Sequence, residues 1–253
     1  MLLSFGLAFP PACFGQAREL SGTMAAPRRA AMFLVCAFGL IVAPMPGMAG
    51  SEPLGTAVSV DPIVAAHLPS GNSHLAAGDN LFEGETLVTS AHGKAQIVFT
   101  DDTHMVVGPR STLVIRKYLM RNDNTVDRFI VSALAGTYRF LTGKSDKQAY
   151  RIDTPPGTIT IRGTSFDFWV ARDSGNVGLL LYSGSAVMCR NDGGCITLDQ
   201  RCSLGLMGQQ TGVERVSDAS RRDQVISQRL PFVRTQRSLQ RVFRVSGAAS
   251  CGQ

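Results

Sequence analysis

Between residues 54 and 207 turn-forming residues recur every eight to twelve positions, and the runs between them are too short for helices of normal length. Pro69-Ser70-Gly71-Asn72, Gly78-Asp79, Asp101-Asp102, Gly108-Pro109-Arg110 and Asp173-Ser174-Gly175-Asn176 supply residues that preset or tolerate the dihedrals of tight turns. The intervening runs, among them Lys94 to Phe99, Thr103 to Val107 and Thr112 to Lys117, alternate with a period of two and so present one apolar face each. This predicts an all-β fold of short strands: solenoid-like, a twisted sheet or a sandwich. Periodicity does not choose among the three.

Two strands are expected at Arg128 to Leu134 and Thr137 to Leu141, around Gly136. The most motif-like stretch is Tyr150 to Arg172. There Pro155-Pro156-Gly157 leads into strands at Thr158 to Ile161 and Ser165 to Val170, with Arg162-Gly163-Thr164 as the bend between them. Alternation places Phe166, Phe168 and Val170 on one face and Asp167 and Trp169 on the other, making Phe166 a core residue and leaving Trp169 partly exposed. Val177 to Tyr182 and Ser185 to Met188 follow, interrupted at Ser183-Gly184.

Past Gly212 the pattern becomes helical. Ser217 is a candidate cap for a helix whose apolar residues are Val225, Ile226 and Leu230, and Pro231 should end or bend it. From Phe232 to Val245, Arg234, Arg237, Arg241 and Arg244 fall at intervals that a helix would align into a basic stripe. This tail is expected to pack back on the β-domain with its arginines in solvent, and a weak contact with an anionic membrane surface is a further expectation.

The first forty-nine residues read as leader. Arg28-Arg29, the apolar run Met32 to Val42 and the small-residue exit Gly47-Met48-Ala49 have the layout of a signal peptide, with the true start at Met24 and cleavage after Ala49. The alternative is a retained membrane anchor, for which the apolar run before Pro44 is short against the roughly 20 residues of a span. Domains are therefore expected at 50–212 (β) and 213–253 (basic, partly helical). Without residues 1–49 the balance is 22 basic to 18 acidic residues, a mild excess that calls for no nucleic-acid partner. Four cysteines remain, Cys189, Cys195, Cys202 and Cys251, and an even number in an exported chain favours two disulfides over a zinc site. Three pairings are open, although Cys189 and Cys195 flank the turn Asn191-Asp192-Gly193-Gly194.

Catalytic patterns are not found. His67, His74, His92 and His104 lack metal-ligand spacing, and Thr164-Ser165 lacks the frame of a nucleophile elbow. Gly175 to Gly184 has no lysine or helix with which to cradle phosphate. No enzymatic activity, metal or cofactor is expected.

Several motifs in order are similar to the FecR domain family, extracytoplasmic β-rich domains of bacteria. They are Gly78-Asp79 with Gly84, Leu87 and Thr89; the run from Ala95 to Thr103; the run from Gly108 to Ile115; Thr154-Pro155 with Gly157; and Arg162-Gly163-Thr164 with Phe166, followed by Leu181 to Gly184. The resemblance covers about residues 54 to 190. It implies an exported protein of a Gram-negative envelope, periplasmic or extracellular, acting without catalysis as a sensor or protein-interaction module with an envelope protein as partner. The best-known members are membrane-spanning regulators that relay a signal from an iron-siderophore transporter to a sigma factor. This chain shows no cytoplasmic domain before its apolar segment, so a stand-alone exported FecR domain is expected and sigma-factor regulation is not carried over. The motif residues read as structural corners. The alternative is a cell-surface or polysaccharide-binding β-module, for which Trp169 would be the platform.

Overall fold

The computed structural model describes residues 52–121 and 123–252; the expected leader, its start and its cleavage point lie outside them. Among the described residues fifteen strands run in chain order: β1 (Gly55–Asp61), β2 (Val64–Leu68), β3 (Gly71–His74), β4 (Asn80–Leu81), β5 (Thr86–Thr89), β6 (Lys94–Phe99), β7 (His104–Val107), β8 (Thr112–Met120), β9 (Val126–Leu141), β10 (Tyr150–Thr154), β11 (Gly157–Val170), β12 (Val177–Arg190), β13 (Cys195–Leu198), β14 (Leu204–Gly208) and β15 (Gly212–Arg215). All belong to one branched, open sheet. The all-β expectation holds, and the last strand crosses the expected boundary at residue 212.

Three pairs of expected short strands are single long ones: β9, β11 and β12. Each carries a glycine with positive φ where a break was expected, Gly136 (109°), Gly163 (62°) and Gly184 (76°). Such a residue bends or bulges a strand without ending its ladder. Each long strand therefore serves two leaflets. The first part of β9 pairs with β8 and, in parallel, with β10; its last residues pair with β7 and β11. Strand β11 pairs first with β10 and then with β9, while running along β12 throughout. β12 pairs with β14 in its first half and β13 in its second.

The core lies between the leaflets. Phe129 and Phe140 sit eleven positions apart on β9, about 36 Å if extended, yet their ring centroids are 5.9 Å apart. Phe99 of β6 meets Tyr118 of β8 and Phe129, and Phe166 stacks on Phe140. The architecture is thus a twisted sheet folded on itself, not a solenoid.

Beyond β15 the chain forms α1 (Ala219–Arg229) and α2 (Pro231–Arg234), then 3-10 turns at Arg241–Phe243 and Ala248–Gly252. Asp218 caps α1 in place of the expected Ser217, accepting from the Arg221 N–H at 2.6 Å, and at Pro231 the first helix stops, as expected, while the proline itself opens the short α2. The expected basic helix over 232–245 does not form. The sheet takes its backbone groups instead: Lys94 donates to the Ser238 carbonyl at 2.8 Å, and the Gln240 N–H donates to Gln96 at 2.7 Å. Leu239 and Phe243 are buried against Val106. The four arginines therefore have no helix to align them, which removes the basis for the expected membrane contact.

This tail also corrects the reading of Trp169, which is 7% exposed. Ile226, Leu230 and Val233 close over it together with Leu180, Tyr182 and Leu204. Each such apolar side chain contributes about 1.5–3 kcal/mol on burial.

Candidate functional site

The family-motif residues are spread over separate corners. Gly78 and Gly84 have φ of 98° and 86° in open surroundings, so backbone conformation alone favours glycine there. Asp79 accepts from the Ala76 N–H at 2.7 Å. Thr89 accepts from the Ser111 N–H and donates to the Gly108 carbonyl, both at 2.7 Å. Thr154 donates to the Gly157 carbonyl across the Pro155-Pro156 turn. Arg162 is exposed, Thr164 is buried, and Phe166 is core.

Gly163 and Gly184 are brought together where β11 and β12 bend: a Cβ on Gly184 would overlap the Gly163 carbonyl, whereas one on Gly163 would meet only the flexible Lys147 side chain at 3.1 Å. Gly163→Ala should cost about 1–2 kcal/mol through its backbone conformation, and Gly184→Ala distinctly more. Urea unfolding measures both, and equal losses would refute the close approach at Gly184.

Two buried carboxylates hold polar networks. Asp101, at the expected hairpin turn, accepts from Tyr150 at 2.7 Å, Ser145 at 2.8 Å, Thr103 at 2.9 Å and Tyr118 at 3.1 Å. Burial pushes the Tyr150 phenol up to about 12, and Asp101 adds to the shift. Tyr118 and Tyr138 are raised chiefly by burial, and Tyr182 by burial and then by Asp167. These four are all the tyrosines of the chain. Since folding raises their pKa, the stability they contribute is complete below about pH 10 and falls as pH rises through about 12. An absorbance titration at 295 nm should show no tyrosinate in the native protein just above pH 10, and then a cooperative rise with unfolding. A gradual rise without unfolding would contradict the burial.

The second carboxylate, Asp167, pairs across the ladder with Arg139, both side chains 0% exposed. Arg139 Nε and Nη2 donate to the two carboxylate oxygens at 2.7 and 2.9 Å, and Tyr182 donates to Asp167 at 2.7 Å. Arg139 also donates to the Phe232 carbonyl at 3.0 Å, the Phe243 carbonyl at 3.2 Å and the Gln236 side chain. Burial disfavours its charge, but Asp167 more than offsets this and the guanidinium is held firmly protonated. One guanidinium therefore joins the sheet to the tail.

A second link is covalent: the structure joins Cys202 to Cys251 and Cys189 to Cys195. The Cys189–Cys195 bridge closes the β12–β13 hairpin, and Cys202–Cys251 staples the chain end to the loop before β14.

Where α1 lies along the sheet, cavities of about 370 and 340 Å³ share Trp169, Ala171, Gln228 and Arg229, and so form one groove. Trp169 is its floor, with the indole lying over Gly178 of β12. Arg110, Arg172 and Arg229 are exposed along it. Arg172 donates to the Arg110 carbonyl at 3.0 Å, and Thr137 donates to the Arg229 carbonyl at 3.2 Å. Sequence reasoning missed both this groove and the Arg139–Asp167 pair. The available signal was a charge between aromatic neighbours on two strands, Tyr138-Arg139-Phe140 and Phe166-Asp167-Phe168.

Residues 85–187 match the family model described as FecR protein. The chain carries a FecR domain. The matched part contains Arg139, Asp167 and the paired bends at Gly163 and Gly184, and stops short of all four disulfide cysteines and of the tail. Among curated proteins none matches. Two crystal structures of a candidate anti-sigma factor from Parabacteroides distasonis are similar to the FecR-domain chain at 12% identity, with TM-scores of 0.42 and 0.43. The similarity covers 52% and 56% of this chain and 58% and 64% of theirs, so the chain spans less than two thirds of those proteins. A cell surface anchoring domain is 32% identical over 24% of this chain and 82% of its own, with a TM-score of 0.23.

Proposed function

We propose that this FecR-domain protein is exported to the bacterial envelope and acts there without catalysis, as a sensor or protein-interaction module. The observation that carries this reading is how the FecR domain is completed. Its buried ionisable groups are committed to the fold, Asp101 to hydroxyls and Asp167 to Arg139, while the open surface at the seam with the tail is a groove. Two disulfides favour an oxidising compartment. The polysaccharide alternative loses its platform, since Trp169 offers little surface to a sugar.

The test is site-specific photo-crosslinking in intact cells of a Gram-negative host, with the crosslinker at Gln228 in the groove or at Asp123 in the β8–β9 loop. A discrete envelope adduct from one position supports the reading. Cytoplasmic residence of the protein, or no discrete adduct from either position, would reject it. Truncation at residue 212 is not an equivalent test, because it removes Cys251 and the carbonyls that Arg139 binds.

A further inference from the structure

We infer that the groove between α1 and the FecR domain binds an acidic peptide segment of a partner protein, an assignment that rests on the protein-interaction reading above. Charge is the first reason. Arg110, Arg172 and Arg229 pair with no carboxylate among the described residues, while the one acid lining the groove, Glu214, is already matched to Arg221 at 2.6 Å. Three guanidiniums on one recessed surface repel one another until a carboxylate-bearing ligand arrives, and each offers a planar fork suited to a carboxylate.

Placement is the second reason. Arg110 stands at a corner with φ of 54°, its N–H donating to the Ser90 carbonyl at 2.9 Å, and its own carbonyl accepts from Arg172. The backbone at Arg229 is tied to Thr137. Arg110 and Arg229 therefore project from anchored backbone and the Arg172 side chain is itself tied to Arg110, which lowers the ordering cost of binding. Form is the third. The two joined cavities make an elongated trough, whose wall from α1 carries the amides of Gln224 and Gln228 for an extended main chain. A sugar polymer would need an open aromatic face, and the indole is closed off by Gly178 and the helix.

Trp169 is the only tryptophan in the chain, so its emission reports on the groove directly. The full exported chain is titrated with a soluble Glu/Ala peptide, alongside a Lys/Ala peptide of equal length, polygalacturonate and inorganic phosphate. The Glu/Ala peptide should change the emission saturably and the Lys/Ala peptide should not. Arg172→Gln with Arg229→Gln should weaken binding about tenfold, whereas the exposed Arg237→Gln should leave it unchanged. The assignment is overturned by no saturable response, by unaltered affinity in the double variant, or by polygalacturonate or phosphate binding as tightly as the peptide. Crosslinking separates the two levels. A partner captured without any peptide response removes the groove assignment alone, while peptide binding with no envelope adduct leaves the groove and removes the sensor role.

Discussion

Asp167→Asn should cost about 3–5 kcal/mol, the penalty for leaving a buried guanidinium without its counter-charge. Against the 5–15 kcal/mol of a typical domain that is a large share, read as a lower urea midpoint with an unchanged slope. The arrangement around Arg139 makes a further point testable. An isolated buried ion pair can often be exchanged for apolar residues with little loss. Here Arg139→Met with Asp167→Leu should stay well below the wild type, because the Phe232 and Phe243 carbonyls would lose the donor that satisfies them. A double variant as stable as the wild type would mean that those carbonyls find other partners, and that the pair is an ordinary cross-strand contact. An Asp167→Asn midpoint equal to that of the wild type would remove the pair from any account of stability.

The legible part of the fold followed from local chemistry. Turn residues between alternating runs identified the central strands β6 to β9, β11 and β12, since the alternation of Lys94 to Phe99 or Thr112 to Lys117 needs no knowledge of the partner strand, whereas β3 begins inside a stretch that reads as a turn. What stayed hidden depends on the partner. Gly136, Gly163 and Gly184 look like strand ends in sequence, but the strands run on past them: β11 and β12 bend together at Gly163 and Gly184, and at Gly136 β9 passes from pairing with β8 to pairing with β11. Trp169 and Asp167 fall on the outer face of β11 by alternation, which is correct, and outer means exposed only if nothing covers it. The cover comes from residues 219–252, whose apolar content is sparse and whose arginines suggested solvent. In the groove, Arg110, Arg172 and Arg229 come from three distant segments, so no spacing rule could have gathered them.

That cover is also what the second bridge holds, and Cys251→Ser should therefore have an effect out of proportion to its place near the chain end. The Cys202–Cys251 bridge closes a sequence separation of 49 residues, whereas Cys189–Cys195 closes one of 6 inside a formed hairpin. Loop-closure entropy puts the long bridge at about 4 kcal/mol and the short one at about 2 kcal/mol. Losing the long one also loosens the turn at Ala248–Gly252, whose Ala248 and Cys251 pack in the same apolar cluster as Trp169. Cys251→Ser should thus lower the urea midpoint more than Cys195→Ser and shift Trp169 emission to longer wavelength below the global transition, as the tail opens ahead of the sheet. Coincident emission and circular-dichroism transitions in Cys251→Ser would show that Arg139 and the other non-covalent contacts keep sheet and tail a single cooperative unit without the bridge. Whether the two transitions separate in Cys251→Ser therefore tells whether the groove's helical wall is fastened mainly by the bridge or mainly by the non-covalent contacts.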